Sequence, residues 1–273
     1  MDISTPTSLS EFAAQADAFL ARHEAEHGLM LGVAAATLKP EPHSYWALVI
    51  DRGAVVGAGL RTNTKLIVSR EGGIGAMAAL AADAASPYLH ELLGPRYSVE
   101  SFALAAGGDW TPVMEQGIYE CRHVAYSPSV RGTRRVARPE DLRRVADFVQ
   151  GLTSEAFGEV IGADEALVRA DAHIARGTMH VWDVDGDVVS VAAAVAPTRH
   201  GIRINNVYTP PELRGRGYAG AVVASLTQAM LDAGREFTFL HTDMSNPISN
   251  RLYARIGYRH VGDLDVLRRG TAA

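Results

Sequence analysis

Val207-Tyr208-Thr209-Pro210-Pro211-Glu212-Leu213-Arg214-Gly215-Arg216-Gly217-Tyr218-Ala219 joins an apolar run to an amphipathic one through two prolines and a basic, glycine-spaced loop. Upstream, residues 202–208 read as a strand. Downstream, a helix over about 217–233 carries Val222, Val223, Leu226 and Met230 on one face and stops at Gly234. Glycines let a backbone approach a ligand with no Cβ in the way. Their N–H groups and the positive end of the helix dipole make an anion cradle, to which Arg214 and Arg216 add charge. Pyrophosphate is the natural guest. The same glycines, Gly215-x-Gly217-x-x-Gly220, also satisfy a dinucleotide fingerprint, and Asp243 lies near the place where that fold wants an acid. A ligand-free structural turn is the third reading of the loop alone.

A second stretch follows a strand over 237–242. In Asn246-Pro247-Ile248-Ser249-Asn250-Arg251-Leu252-Tyr253-Ala254-Arg255-Ile256-Gly257-Tyr258, Asn246 is a good helix cap, Pro247 suits the first helical position and Gly257 the stop. Offsets of four and three put Asn246, Asn250 and Tyr253 on one helical face. A polar stripe ending in a tyrosine is unusual for a short helix that should pack on a sheet.

The two stretches, in this order, resemble the GNAT superfamily of N-acetyltransferases. The first is similar to the family's coenzyme A loop, Gln/Arg-x-x-Gly-x-Gly/Ala, with Arg214, Gly217 and Ala219 at the matching positions. The second is similar to its Asn-x-x-Ala-x-x-Leu-Tyr-x-Lys-x-Gly-Phe signature, from which Ser249, Arg255 and Tyr258 depart. The resemblance implies acetyl-CoA as cosubstrate and no metal. It places the pyrophosphate on Arg214, Gly215, Arg216, Gly217, Tyr218 and Ala219, and the pantetheine arm along Asn206, Val207, Tyr208 and Thr209. Asn246, Ser249 and Asn250 would contact that arm, and Tyr253 would protonate the leaving thiolate. The backbone N–H of Val207 or Tyr208 is the candidate to polarise the thioester carbonyl. Many family members carry a glutamate base on the strand that here reads Arg203-Ile204-Asn205-Asn206. His241 and Asp243 are the substitutes in reach, each with a structural role as the blander reading.

Working outward, residues 179–184 and 188–194 form a hairpin around Asp185-Gly186-Asp187, and a helix begins at Pro139-Glu140-Asp141. The first half reads as a helix capped by Ser8 or Ser10 and stopped at Gly28, then a hairpin over 45–51 and 54–60 around Arg52-Gly53. A strand over 65–69 and a helix opened by Gly72-Gly73-Ile74-Gly75 follow. Residues 101–106 and 117–124 read as strands, and 151–162 as an acceptor-facing loop. This order echoes the second half, a faint repeat. At the place of the basic loop, however, the first half has Arg70-Glu71-Gly72-Gly73, with an acid where phosphate would sit.

With 273 residues, 47% hydrophobic and 21% charged, the chain has material for two cores. A net charge of -5 argues against a nucleic-acid footprint, and no apolar run is long enough to span a bilayer. Cys121 is the only cysteine, and the start Met1-Asp2-Ile3-Ser4 lacks the form of a secretory signal. His23 and His27 read as a solvated helix face. The expectation is therefore an α/β (α+β) protein of two GNAT-like domains, 1–128 and 133–273. Each would be a mixed, mainly antiparallel twisted sheet flanked by helices, the first degenerate and the second an active acetyltransferase. The setting is cytoplasmic, and the partner is a small-molecule or peptide amine rather than nucleic acid or membrane. The first half shapes the acceptor cleft or a homodimer contact. A non-catalytic CoA sensor and a dinucleotide-dependent oxidoreductase stay open as alternatives.

Overall fold

A computed structural model describes residues 1–36, 43–62 and 64–270. In chain order the first part forms β1 (Asp2–Ser4), α1 (Leu9–Leu20), α2 (Gly28–Ala34), β2 (Tyr45–Asp51), β3 (Ala54–Arg61), β4 (Lys65–Val68), α3 (Gly73–Asp83), β5 (Glu91–Gly94), α4 (Arg96–Ala106) and β6 (Trp110–Cys121). The rest forms β7 (Thr133–Val136), α5 (Leu142–Phe157), α6 (Ala163–Ala175), β8 (Met179–Val184), β9 (Asp187–Val195), β10 (Gly201–Tyr208), α7 (Tyr218–Asp232), β11 (Phe237–Asp243), α8 (Pro247–Ile256) and β12 (Arg259–Arg269). Contacts divide the chain into two compact units: residues 1–119, 241–247 and 260–273, and residues 120–240 with 248–259. The sequence reading placed one cut near 127–132; by contacts, two C-terminal segments group with the first unit.

In the first unit β1 to β4 pair antiparallel in sequence order, β4 pairs parallel with β5, and β5 antiparallel with β12. Strand alternation sends Ala47 and Val49 to one face, where they meet Met77 and Leu80 of α3 and Phe102 of α4. Leu48 goes to the other face with Phe12, Phe19 and Met30. Ser8 caps α1, its Oγ accepting the Glu11 N–H at 3.1 Å.

In the second unit β7, β8, β9 and β10 pair antiparallel, and β10 pairs parallel with β11 through the α7 crossover. Val191 and Ala193 face Val145, Phe148 and Val149 of α5 and Ala166 and Ala170 of α6. The buried stripe of α7, Val222, Val223 and Leu226, is that read from the sequence. Asp185 and Gly186, both at positive φ (55° and 95°), make the tight β8–β9 turn. Both units are thus mixed, mainly antiparallel sheets flanked by helices.

Four local expectations are corrected. Residues 101–106 lie in the helix α4: Pro95 sets its start, and Val99 and Phe102, three apart, bury together. Gly28 opens α2 rather than ending a helix. Residues 151–157 continue α5, where Gly151 is needed because a Cβ would stand 2.4 Å from the Tyr208 hydroxyl. His27 is not solvated: it is 2% exposed, its Nδ1 bonds the Leu20 carbonyl at 2.9 Å and its Nε2 accepts the Arg70 N–H at 3.0 Å.

Candidate active site

β10 is eight residues long, but its register with β11 covers only Gly201, Ile202 and Arg203, opposite Phe237, Thr238 and Phe239. Beyond Arg203 the strands part, and residues 204–208 leave the β11 side of β10 unpaired to its neighbour. The other edge of β10 carries a bulge. Asn205 opposes Ala193 and Tyr208 opposes Val191, so three steps on β10 answer two on β9. Asn206 takes the extra step at φ 49°, and its amide donates to His173 Nε2 at 2.9 Å. Burial lowers the His173 pKa, so the ring accepts at Nε2 and donates from Nδ1 to the Thr178 hydroxyl at 2.9 Å. The Tyr208 carbonyl is taken by the Ser190 hydroxyl at 3.0 Å.

The chain leaves β10 through Thr209 and Pro210 and turns over Pro211–Leu213 into an exposed loop, Arg214 to Gly217. Gly215 (φ 76°) and Gly217 (φ 84°) adopt the left-handed backbone that glycine favours, and Gly217 is the N-cap of α7. No acid stands in the first turn of α7, so its N–H groups and dipole are free to meet an anion. A Cβ on Gly215 would meet nothing within 4 Å. Gly220 has a packing reason instead: a Cβ there would stand 2.9 Å from Leu252 and from Pro128. The dinucleotide reading of the glycines loses its ground here, since a single parallel pair in an antiparallel sheet is not a doubly wound fold.

Arg214 faces its own protein as much as the loop mouth. It donates through Nε to the Thr209 carbonyl (2.9 Å) and through Nη2 to Glu155 Oε2 (2.5 Å). The Tyr208 hydroxyl donates to Oε1 of the same Glu155 at 2.7 Å. Burial, then Glu155, pushes the Tyr208 phenol up to about 12. Glu155 ties strand, loop and α5 together, and sequence reading missed it, because a lone glutamate late in an amphipathic helix carries no signal of its own. Among the described residues Arg216 reaches only the Glu212 carbonyl at 3.3 Å, and it is exposed with no acidic partner.

Asn246 stands immediately before α8, its N–H on the Asp243 carbonyl at 3.1 Å. Ser249 and Asn250 are half-buried on α8, and Tyr253 is buried. Gly257 (φ 122°) ends the helix with the Tyr258 N–H returning to the Tyr253 carbonyl at 3.0 Å. Burial pushes the Tyr253 phenol up to about 12, and among the described residues its hydroxyl has no hydrogen-bond partner. By contrast Tyr258, 5.9 Å away ring to ring, is bonded to Thr227 and Thr238. His241 and Asp243 lie on the last residues of β11. Among the described residues no group of three or more His, Cys, Asp or Glu is placed to hold a metal ion, and no helix is long and apolar enough to cross a membrane.

Residues 146–258 match the acetyltransferase (GNAT) family. No curated protein matches the sequence. Among solved structures, a GCN5-related N-acetyltransferase from Sphaerobacter thermophilus has a TM-score of 0.64 at 18% identity, over 100% of this chain and 97% of its own. An acetyltransferase from the GNAT family from Colwellia psychrerythraea has a TM-score of 0.62 at 13% identity, over 99% and 100%. A tandem GNAT protein from the clavulanic acid biosynthesis pathway covers both chains fully, with a TM-score of 0.58 at 13% identity. These likenesses extend the fold to the first half, whose β2–β3–β4–α3–β5 order repeats β8–β9–β10–α7–β11. Residues 146–258 therefore belong to the acetyltransferase (GNAT) family, of the acyltransferase class, on a chain that has the GNAT fold along its whole length.

Proposed function

We propose that this chain transfers an acetyl group from acetyl-CoA to a primary amine by direct attack, in the cytoplasm, on a small-molecule or peptide acceptor. The observation that carries the reading is the parting of β10 from β11 after Arg203, just upstream of the Gly215–Gly217 loop. The unpaired edge of residues 204–208 is roughly 16 Å of strand at about 3.3 Å per residue. It suits an extended arm lying as an extra strand, with its anionic end on the loop.

Acetyl-CoA supplies an acyl carbon activated by a thiol leaving group. Arg216 and the first N–H groups of α7 would hold the pyrophosphate, while Glu155 holds Arg214 and so the loop. Asn246, Ser249 and Asn250 would line the arm. The amine nitrogen adds to the carbonyl carbon, the carbon–sulfur bond breaks, and the amine's surplus proton is lost to solvent. Tyr253 stays protonated to about pH 12, so its hydroxyl is a hydrogen-bond donor to the departing sulfur and passes it a proton, which the proton released by the amine restores through solvent. β10 offers no carboxylate for the amine proton: Arg203, Asn205 and Asn206 stand there. The base is then water, and the amine arrives neutral from solution.

Calorimetric titration of the wild type with acetyl-CoA, beside Arg216→Glu and an NADH control, tests this. Binding in the wild type that weakens about 30-fold, roughly 2 kcal/mol, in the variant supports the assignment. Folded wild type that ignores acetyl-CoA overturns it.

A further inference from the structure

Arg203 is a charge without a counter-charge. It opposes Val195 across the β9–β10 pair, and Asn205 opposes Ala193. Residues directly opposite in a sheet share a face, so both side chains lie on the side covered by α5 and α6, where Ala193 and Val195 pack. The Arg203 Nε and the Asn205 Oδ1 are sealed from solvent, and neither has a hydrogen-bond partner among the described residues. Burial alone draws the guanidinium's pKa below the ordinary arginine value, and no neighbouring acid lifts it back. Among the described residues no carboxylate pairs with Arg203, and Glu155 of the same unit serves Tyr208 and Arg214. Asn206 and His173 satisfy each other.

Arg203 is half-buried, and a sealed guanidinium N–H left without a partner costs stability, so a protein keeps one where something else completes it. Its place says what. Arg203 is the last residue of β10 in register with β11, and therefore marks the closed end of the gap along which the arm is proposed to lie. The thioester end of an arm anchored on the Gly215–Gly217 loop reaches this end. An acceptor must come there too, and meets a planar guanidinium suited to a carboxylate and, two residues on, an amide able to accept from an amine.

Resting on the acetyltransfer reading, we propose that Arg203 receives a carboxylate borne by the acceptor, with Asn205 beside it for the amine, so that the substrates are amino acids or amines carrying a free carboxylate. Polyamines and aminoglycosides, which bring further cations, are the wrong charge for this place.

The test follows acetyl transfer by mass spectrometry from acetyl-CoA to the L-amino acids, to their α-carboxamides, and to spermidine and kanamycin. Acetyl-CoA binding is measured separately by calorimetry. The acids are expected to exceed their carboxamides by tenfold or more in kcat/KM, and Arg203→Gln to bring the ratio within about twofold. Carboxamides, spermidine or kanamycin used as well as the acids overturn the proposal, as does an unchanged preference in Arg203→Gln. Arg203→Met supplies a readout independent of turnover: with the unpaired charge gone, Tm is expected to rise by about 2 °C or more while acetyl-CoA affinity holds. A fall in Tm makes Arg203 a structural ion and overturns the assignment. Acetyl-CoA binding with no transfer to any acid overturns this inference alone. Failure to bind acetyl-CoA overturns the acetyltransfer reading and this inference with it.

Discussion

The chain carries one backbone device twice, and the two copies differ in what fills them. In the first unit Gly72 (φ 90°, ψ -18°) precedes α3; in the second Gly217 (φ 84°, ψ 1°) precedes α7. The hairpins upstream match as well, Arg52-Gly53 at φ 49° and 80° against Asp185-Gly186 at 55° and 95°. Yet Glu71 occupies the first loop, bonded to His23 at 2.7 Å and 3.3 Å from Arg22. Burial works to raise its carboxyl, but His23 and Arg22 hold it below the usual range. The strands differ too. β4 is four residues long and in register with β5 through Ile67, and Gly94 packs so closely that a Cβ would stand 2.7 Å from the Val68 carbonyl. The first loop is filled by the protein's own anion over a closed strand pair; the second is open, basic and set beside parted strands. Loop geometry alone therefore does not make a ligand site.

The largest expected effect separates the loops by their packing. A Cβ on Gly72 would stand 2.4 Å from the Val56 carbonyl and 2.7 Å from Ala76, at φ 90°. Gly72→Ala is expected to cost about 3 kcal/mol or more in urea unfolding, combining left-handed strain with a backbone clash. Gly215→Ala meets open space at φ 76° and should cost only the backbone term, about 1 kcal/mol. Equal losses would mean the two loops are packed alike. Acid offers the next contrast. Burial lowers both His27 in the first unit and His180 in the second from 6.5 to about 4. The unfolded chain then takes the proton first, so their stability contribution is complete above about pH 6.5 and is lost as pH falls toward 4. Between pH 7.5 and 5 each should cost on the order of 2 kcal/mol. Unfolding midpoints that do not move over this range would show that one or both rings are already charged in the fold.

Sequence made the second unit nearly transparent because its elements announce themselves locally. α8 begins at Pro247 and ends at Ile256, as the Pro–Gly punctuation predicts, and the buried stripe of α7 follows from spacing. What stayed hidden depends on contacts remote in sequence. α6 buries chiefly Ala166 and Ala170, too small to give a periodic apolar signal. His27 and His23 look alike in sequence, and only the carbonyl of Leu20 and the N–H of Arg70 bury one of them. The candidate site divides the same way. The loop and helix are short motifs, whereas Glu155 enters by reaching across from α5, and the isolation of Arg203 is a property of its neighbours.

Tyr253→Phe sharpens the functional side of the contrast. It removes a hydroxyl with no hydrogen-bond partner among the described residues, so stability should hold within about 0.5 kcal/mol. Acetyl-CoA affinity should stay level and kcat fall roughly 10- to 100-fold. A lost affinity at constant kcat would make the tyrosine part of the binding wall instead of the proton donor.

The smallest expected effect decides which of the two differences between the loops matters. Glu71→Arg gives the first loop the charge of the second and removes exposed ion pairs that contribute under about 1 kcal/mol. If charge alone separated the loops, calorimetry would show acetyl-CoA binding rise to two sites per chain. We expect one, because a basic cradle at the head of α3 still has no unpaired strand edge beside it: β4 ends at Val68, one residue past its register with β5. A pyrophosphate held there would leave its arm in solvent, where it contributes nothing to affinity. A second site in Glu71→Arg would show that the parted strands of the second unit serve the transfer step and not the holding of acetyl-CoA.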